Sequence, residues 1–228
     1  MSGDFARVLD RLVPWRRLRL RLLDVDAAGL AACARMSNVI ELAVARLNRD
    51  LPRLPALEAS QLLHCDPLPA LPRVRRLALL GDGDGDAVVR TLAADPALAA
   101  VEELNVAMSC STDSVAALAA SPHARGLRRL AIRALRFDDA AVLAPVLPQL
   151  ATLEVSSLGD ALDLSRVLGP RLAILGCSSA GEAVARRLAD GPFPSLGRVM
   201  VGPGQRGSAT IAERWPQLWL DLGDPEHA

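Results

Sequence analysis

The sequence contains no lysine and no tyrosine, and aromatic residues make up only 3% of its 228 residues. Its 26 basic residues, all of them arginine, balance its 26 acidic residues, so the chain carries no net field that would attract nucleic acid or an anionic membrane. The scarcity of aromatic rings argues against a base-stacking surface and requires an aliphatic core. We therefore expect neither nucleic acid nor a membrane as a partner.

Long apolar runs are also missing, although 51% of the residues are hydrophobic. Charged residues interrupt every apolar stretch well before the roughly 18 residues that a membrane-spanning helix requires. The start of the chain includes Asp4 and lacks the apolar segment of a secretory signal. The cysteines form no C-x-x-C pair, which favours reduced thiols and predicts a cytoplasmic protein. They are Cys33, Cys65, Cys110 and Cys177.

A pattern of apolar residues, L-x-x-L-x-L, recurs along most of the chain at intervals of about 19 to 27 residues. Its fourth and sixth positions point to one face of a strand, and its third and fifth positions point to the other. Each interval has room for one strand and one short helix. The motif occurs at Trp15/Leu18/Leu20, Val39/Leu42/Val44, Val74/Leu77/Leu79, Val101/Leu104/Val106, Leu127/Leu130/Ile132, Leu150/Leu153/Val155, Leu172/Leu175/Cys177, Leu196/Val199/Val201 and Trp215/Leu218/Leu220, with Leu54/Leu57/Ala59 as a weaker candidate.

A loop, an acidic or hydroxyl residue and an alanine-rich segment follow most of these motifs, which predicts capped helices. Proline behind the segments predicts where they end, because it disfavours helix in the residue before it. We predict a single domain, 1–228, with a capping helix over 1–14, repeats over 15–222 and a tail over 223–228. The predicted helix caps are Asp86, Asp113, Asp139 and Ser208, with Asp26 and Asp163 near the same spacing.

The phrase L-A-A-S-P-H-A-R-G-L-R-R-L-A-I (Leu118–Ile132) resembles repeats of bacterial leucine-rich repeat proteins of the ribonuclease-inhibitor-like kind. The resemblance covers residues 15–222 and implies an α/β solenoid in the form of a horseshoe, with parallel strands on the concave side and short helices on the convex side. It also implies protein binding on the concave face. The sequence lacks the family's asparagine at the ninth motif position, where Asp82 and Ser109 stand in two repeats. The proline-rich segment 45–73 leaves open whether a regular repeat forms there.

The run G-D-G-D-G-D at Gly81–Asp86 invites a calcium-binding interpretation, since its aspartates match the first, third and fifth ligands of an EF-hand loop. The sixth position of that loop should be glycine and is Ala87, and the twelfth should be glutamate and is Ala93. We interpret the run as a solvated turn in which Asp86 caps the next helix, and we predict no metal site.

The loop Gly202–Gly207 reads G-P-G-Q-R-G and matches the dinucleotide fingerprint G-x-G-x-x-G behind a predicted strand. Pro203 removes a backbone N–H that should bind phosphate, and Pro216 ends the following helix early. The spacing of the upstream motifs also fits a repeat better than a nucleotide-binding sheet. A nucleotide-binding enzyme that uses this loop is therefore the alternative function.

Cysteine and histidine offer little basis for catalysis in this chain. His64 and Cys65 are neighbours in sequence, which does not make them a nucleophile and its base. We interpret Cys110 and Cys177 as core thiols and His123 as an exposed residue of an inter-repeat turn. We predict no catalytic residue and no cofactor.

The outward positions of the predicted strands carry the remaining patterned chemistry, with arginine and glutamate alternating between neighbouring strands. Such residues form either a self-neutralising charge ladder or a binding surface in which arginine grips carboxylates, and both interpretations stay open. The predicted function is a non-enzymatic scaffold that binds an unidentified protein through the concave face. The sequence does not indicate an oligomeric state. The candidate binding residues are Arg75, Arg76, Glu102, Glu103, Asn105, Arg128, Arg129, Arg133 and Glu154.

Overall fold

The computed structural model describes residues 17–22, 33, 36–45, 56–63, 74–138, 140–191 and 193–201. Several predictions from the sequence fall outside these ranges. They concern the capping helix 1–14, the motif starts Trp15 and Trp215, the caps Asp26, Asp139 and Ser208, the pair His64 and Cys65, the loop Gly202–Gly207 and the tail 223–228.

Nine parallel strands form one sheet in the described part of the chain, and their order in the sheet follows their order in the sequence. The predicted α/β class with a parallel sheet is confirmed. Parallel neighbours cannot be joined by a tight turn, so the chain crosses back between successive strands. The strands are β1 (Leu18–Leu22), β2 (Val39–Ala45), β3 (Ala59–Leu63), β4 (Arg76–Leu80), β5 (Glu103–Ala107), β6 (Arg129–Phe137), β7 (Thr152–Leu158), β8 (Ile174–Ala180) and β9 (Arg198–Val201).

Short helices lie between the strands from β4 onward. The helices are α1 (Gly85–Ala94), α2 (Thr112–Ala120), α3 (Leu164–Val167) and α4 (Glu182–Asp190), with 3-10 turns at Pro96–Ala100 and Pro122–Gly126. The predicted helix between β6 and β7 forms two further 3-10 turns instead, Ala140–Leu143 and Leu147–Gln149. Pro145 and Pro148 explain the difference, because each lacks the N–H that an α-helix needs. None of the helices in the described ranges is long and apolar enough to cross a membrane.

The core lies on one side of the sheet, where the inward strand positions stack across neighbouring strands. Leu77 lies opposite Leu104, which lies opposite Leu130, and all three are buried. Helix side chains such as Val89 and Leu118 belong to the same buried cluster, so the helices cover this side of the sheet. Burying a leucine or valine side chain contributes about 1.5–3 kcal/mol, which makes these stacked rows the main source of stability.

Two of the predicted motifs have the wrong register. In β1, Leu20 lies opposite Leu42, so the motif Trp15/Leu18/Leu20 was placed two residues too early. A shift of two residues keeps the same face buried, which is why the alternation could not detect it.

In β3, the register places Ser60 and Leu62 at the inward fourth and sixth positions, where Leu57 and Ala59 were predicted. The serine hid this strand because it occupies a position that leucine fills elsewhere. Ser60 is 1% exposed, and its hydroxyl has no hydrogen-bond partner in the structure. The strand itself confirms that part of the irregular segment 45–73 joins the sheet.

Two of the predicted helix caps are also wrong by two residues. Asp84, not Asp86, caps α1 by accepting a hydrogen bond from Ala87 N–H at 3.1 Å. Ser111, not Asp113, caps α2, whereas Asp163 caps α3 as predicted. Asp and Ser at alternate positions of one loop offer equivalent cap chemistry, and the backbone conformation decides which one serves.

Asp86 instead joins two successive strand–helix units. Its carboxylate accepts hydrogen bonds from Ser111 N–H at 2.5 Å and from the Ser114 hydroxyl at 2.8 Å. These bonds lower the pKa of Asp86, the backbone bond from Ser111 most. Next to it, Gly85 approaches the following loop so closely that an added Cβ would lie 2.0 Å from the Ser109 carbonyl oxygen.

Replacing Ser60 by alanine is expected to stabilise the protein by about 1 kcal/mol, because it removes a buried hydroxyl that lacks a partner. The free energy of unfolding, measured by urea denaturation, checks this. Ser114→Ala is the control, since the Ser114 hydroxyl donates to Asp86 and its loss is expected to destabilise by about 1 kcal/mol. A Ser60→Ala variant less stable than the wild type would contradict the prediction.

Replacing Asp86 by alanine is expected to lower stability near neutral pH, by an amount that shrinks in acid. Because the folded pKa of Asp86 is lowered, its contribution is fully present above the unfolded value and is lost as pH falls through the folded value. Urea denaturation of both proteins at several pH values below and above the ordinary Asp pKa of 3.8 measures this. Asp113→Ala, which removes a first-turn carboxylate of α2, is the control and is expected to cost only about 0.5 kcal/mol. If Asp86→Ala lowered the free energy of unfolding by the same amount at every pH, a role of the Asp86 charge would be refuted.

Candidate binding face

The face of the sheet opposite the core carries the outward side chains of β2 to β7, and we call it the polar face. The core register dictates its layout, since the third and fifth motif positions stack across strands as the leucines do on the other side. Arg76 lies opposite Glu103, which lies opposite Arg129. Ala78 lies opposite Asn105, which lies opposite Ala131. The predicted side-by-side arrangement of charges is therefore present in the sheet.

A pocket of about 230 Å³ lies at the centre of the polar face. It exists because alanine occupies three outward positions among longer side chains, so the sheet is uncovered there. Charged and amide side chains surround these small residues. The pocket is lined by Glu41, Ala59, Ser60, Gln61, Arg76, Leu77, Ala78, Glu103, Leu104, Asn105, Arg129, Ala131 and Glu154.

Four ion pairs cross the polar face and its margin in the described residues. Each joins an arginine to a glutamate, and the two residues belong to two different strands or directly precede them. The pairs are Arg17–Glu58 at 3.0 Å, Arg19–Glu41 at 3.3 Å, Arg75–Glu102 at 3.2 Å and Arg129–Glu154 at 2.6 Å. They neutralise part of the surface, as the charge-ladder interpretation requires.

In the two ion pairs at the edge of the pocket, the glutamate side chain is more buried than the arginine side chain. The Glu154 side chain is 20% exposed and the Arg129 side chain is 51% exposed. Glu41 and Arg19 differ in the same sense, at 23% and 73%. The glutamate side chains of these two pairs are therefore shielded from solvent more than their arginine partners.

Three predicted binding residues, Arg76, Glu103 and Arg128, form no ion pair within 4.0 Å among the described residues. Arg76 and Glu103 both line the pocket. Arg128 is exposed, and its guanidinium donates only to the Leu127 carbonyl oxygen, at 3.3 Å. A complete charge ladder would have paired these groups, so part of the charge on this face is available to a partner.

Asn105 lies at the centre of the pocket, between Ala78 and Ala131 of the neighbouring strands. Its Oδ1 atom is buried and accepts no hydrogen bond. Neither alanine can supply a donor, and a buried acceptor without a partner costs about 1–3 kcal/mol. Asn105 thus lines the pocket, while its own oxygen is buried and makes no hydrogen bond.

The sequence-based list of binding residues agrees only partly with the site. Arg76, Glu103, Asn105, Arg129 and Glu154 line the pocket, whereas Arg75, Glu102 and Arg128 do not. Arg133 belongs to β6, and its side chain lies outside the part of the chain that the structure describes.

Two pocket residues whose polar side chains belong to the polar face, Glu41 and Gln61, were missed. Glu41 holds the third position of a recognised motif and could have been found from it. Gln61 could not, because the motif of its strand was misplaced.

In the run Gly81–Asp86, Asp84 caps a helix and Asp86 bridges two strand–helix units. No cluster of three potential metal-binding side chains occurs in the described part of the chain. Burial raises the pKa of the Cys177 thiol to about 12, and burial together with the Asp86 carboxylate raises that of Cys110. Raised thiol pKa values oppose the thiolate form that nucleophilic catalysis needs.

Two expectations about these side chains need correction. Cys110 is only half-buried, because it lies in the loop before α2 and packs on the core from outside. His123 is also half-buried rather than exposed, since it lies within the 3-10 turn Pro122–Gly126.

No model of a known protein family and no curated protein matches this chain in comparisons of sequence. The interpretation of the site therefore depends on its geometry and chemistry.

The ion pair between Arg129 and Glu154 is expected to contribute less than about 1 kcal/mol to stability, because the arginine is half exposed and water screens its charge. A double-mutant cycle with Arg129→Ala and Glu154→Ala, followed by urea denaturation, measures the coupling. A coupling above about 2 kcal/mol would contradict this and would give the charges of the polar face a mainly structural role.

Proposed function

We propose that this protein is a non-enzymatic binding module, built as a leucine-rich-repeat-like solenoid, that holds a protein partner on its polar face. Support for the solenoid comes from nine parallel strands in sequence order, with short helices covering one side of the sheet. In such a solenoid the polar face is the concave one, and it is the large surface that the helices leave open.

The central pocket carries this proposal. A charge ladder that only keeps the sheet soluble needs neither a cavity nor unpaired groups. Here alanines line the cavity together with Arg76 and Glu103. Neither of these two charged residues forms an ion pair among the described residues. Charged side chains without an ion pair are groups that a partner can satisfy, which favours binding over solubility alone.

Protein partners fit this surface better than small molecules. The cavity of about 230 Å³ is smaller than the roughly 300–1,000 Å³ of sites that enclose a drug-sized ligand. The surrounding charges extend over several strands, which suits a broad interface with arginine anchors.

Reversing Arg128 and Arg129 to glutamate is expected to weaken partner binding at least about tenfold, because it places repelling charge at the centre of the interface. Affinity purification with mass spectrometry from native lysate identifies the partner, and binding of the purified partner is then measured at low and high salt. Since salt screens exposed charges, the effect of the reversal should shrink as ionic strength rises.

The matched control is Arg125→Glu with Arg171→Glu, two exposed arginines that do not line the pocket. This control is expected to bind like the wild type. The same partner set and the same affinity for both double variants would rule out the polar face as the binding site.

A further inference from the structure

We propose that the polar face binds an extended segment of the partner in which acidic residues alternate with apolar ones. This inference rests on the proposed function and assigns the chemistry of the partner. The segment lies across the strands, with its acidic side chains toward arginines near the strand starts and its apolar side chains toward leucines at the strand ends. An excess of arginine and the order of residue types along the strands carry the proposal.

Arginine outnumbers glutamate on this side of the sheet. The described side chains of β1 to β7 and of the residues directly before these strands include seven arginines but only five glutamates. Four of the glutamates each hold one arginine in an ion pair. The groups that form no ion pair in the described part of the chain are three exposed arginines and one carboxylate, namely Arg21, Arg76, Arg128 and Glu103. A partner that supplies carboxylates therefore satisfies more of these groups than a basic partner does.

The arginines are also the more accessible of the charged groups. In each of the four ion pairs, the arginine side chain is more exposed than the glutamate side chain. Arg76 is exposed, whereas Glu103, which lies opposite it in the sheet, is half-buried. A partner that approaches the face thus meets guanidinium groups, whose planar fork of donors can bind a carboxylate through two hydrogen bonds.

The outward residues of β4 change from charged to small to apolar along the strand. Their order is Arg76, Ala78 and Leu80, and Leu80 is half-exposed. In the neighbouring strands, Leu63 and Ala107 lie opposite Leu80, so an apolar row crosses the strand ends. Outward positions are about 6.6 Å apart along a strand, which places the arginine and leucine of β4 about 13 Å apart with alanine between them.

The pocket sets the direction and the length of the segment. Its lining residues come from six neighbouring strands, β2 to β7, although its volume is only about 230 Å³. Six strands at a spacing of about 4.8 Å span roughly 24 Å, so the pocket is a shallow trough across the sheet. At about 3.3 Å per residue, an extended segment of about seven residues covers this distance. Successive side chains of such a segment point in opposite directions, which lets acidic residues face the arginines and apolar residues face the leucines.

Titration of the full-length, isotope-labelled protein with four capped heptapeptides tests this inference by NMR. The first probe is Glu-Leu-Glu-Leu-Glu-Leu-Glu, and the others replace its glutamates by glutamine, its glutamates by lysine, or its leucines by serine. We expect the first peptide to bind best, the glutamine and serine peptides to bind at least about tenfold more weakly, and the lysine peptide to bind worst. The amide signals of β3 to β6 report binding, and the advantage of glutamate over glutamine should shrink as ionic strength rises.

Variants of opposite sign sharpen the test. Arg76→Gln removes an exposed cation and is expected to weaken binding of the glutamate–leucine peptide about threefold, whereas Glu103→Gln removes a carboxylate and is expected to tighten it about threefold. Leu80→Ser is expected to weaken binding of that peptide but not of the glutamate–serine peptide, whose unchanged binding shows that the variant is folded. Arg125→Gln, at an exposed arginine of the 3-10 turn Pro122–Gly126, is the matched control and is expected to have no effect.

The outcomes separate this inference from the proposed function. Equal binding of the glutamate and glutamine peptides, preference for the lysine peptide, or changes in the same direction for Arg76→Gln and Glu103→Gln would overturn the acidic segment. Equal binding of the leucine and serine peptides would overturn its alternation with apolar residues. If Arg128→Glu with Arg129→Glu still abolished binding of the native partner in those cases, the polar face would remain the interface and only the chemistry of its partner would be wrong. Peptide binding as expected, with a native partner insensitive to that double reversal, would instead overturn the proposed function.

Discussion

The parallel register of the nine strands is the constraint on which the rest of the structure depends. A slip of one residue would turn the buried leucines of a strand toward solvent and its charges toward the core. Backbone hydrogen bonds fix the register even at the strand starts, where Arg128 N–H donates to the Glu102 carbonyl at 2.7 Å and Ala151 N–H donates to the Arg128 carbonyl at 2.7 Å. The same ladder stacks leucines on one side and charges on the other. Packing of the core therefore determines which polar groups meet on the polar face.

Most of the strands could be predicted because their motifs contain a full set of aliphatic residues at alternate positions. The errors arise where the alternation fits two registers equally well or where a polar residue interrupts it. In β1 a shift of two residues preserves the alternation, and in β3 a serine replaces the leucine that marks the register. The predicted caps of α1 and α2 were wrong for a related reason. Neighbouring acidic and hydroxyl residues can each cap a helix, and only the backbone conformation selects one of them.

The residues of the polar face could be predicted wherever the register of the strand was predicted correctly. Asn105 and the charges of β4 to β7 follow from correctly placed motifs, and so do the alanines that flank Asn105. Ion-pair geometry does not follow from them. Arg17 reaches Glu58, and Arg129 pairs diagonally with Glu154 although its register partner is Thr152. Long flexible side chains choose among several neighbours within reach, and alternation fixes only the face on which they start.

Two buried polar atoms without hydrogen-bond partners belong to residues on opposite faces of the sheet. The Ser60 hydroxyl points into an apolar core that the fold closes permanently, so nothing that binds the folded protein can satisfy it. The Asn105 oxygen belongs to a side chain that lines the pocket, but the oxygen itself is buried and accepts no hydrogen bond. Each of the two atoms therefore costs stability, and the apolar packing on the core side of the sheet offsets that cost.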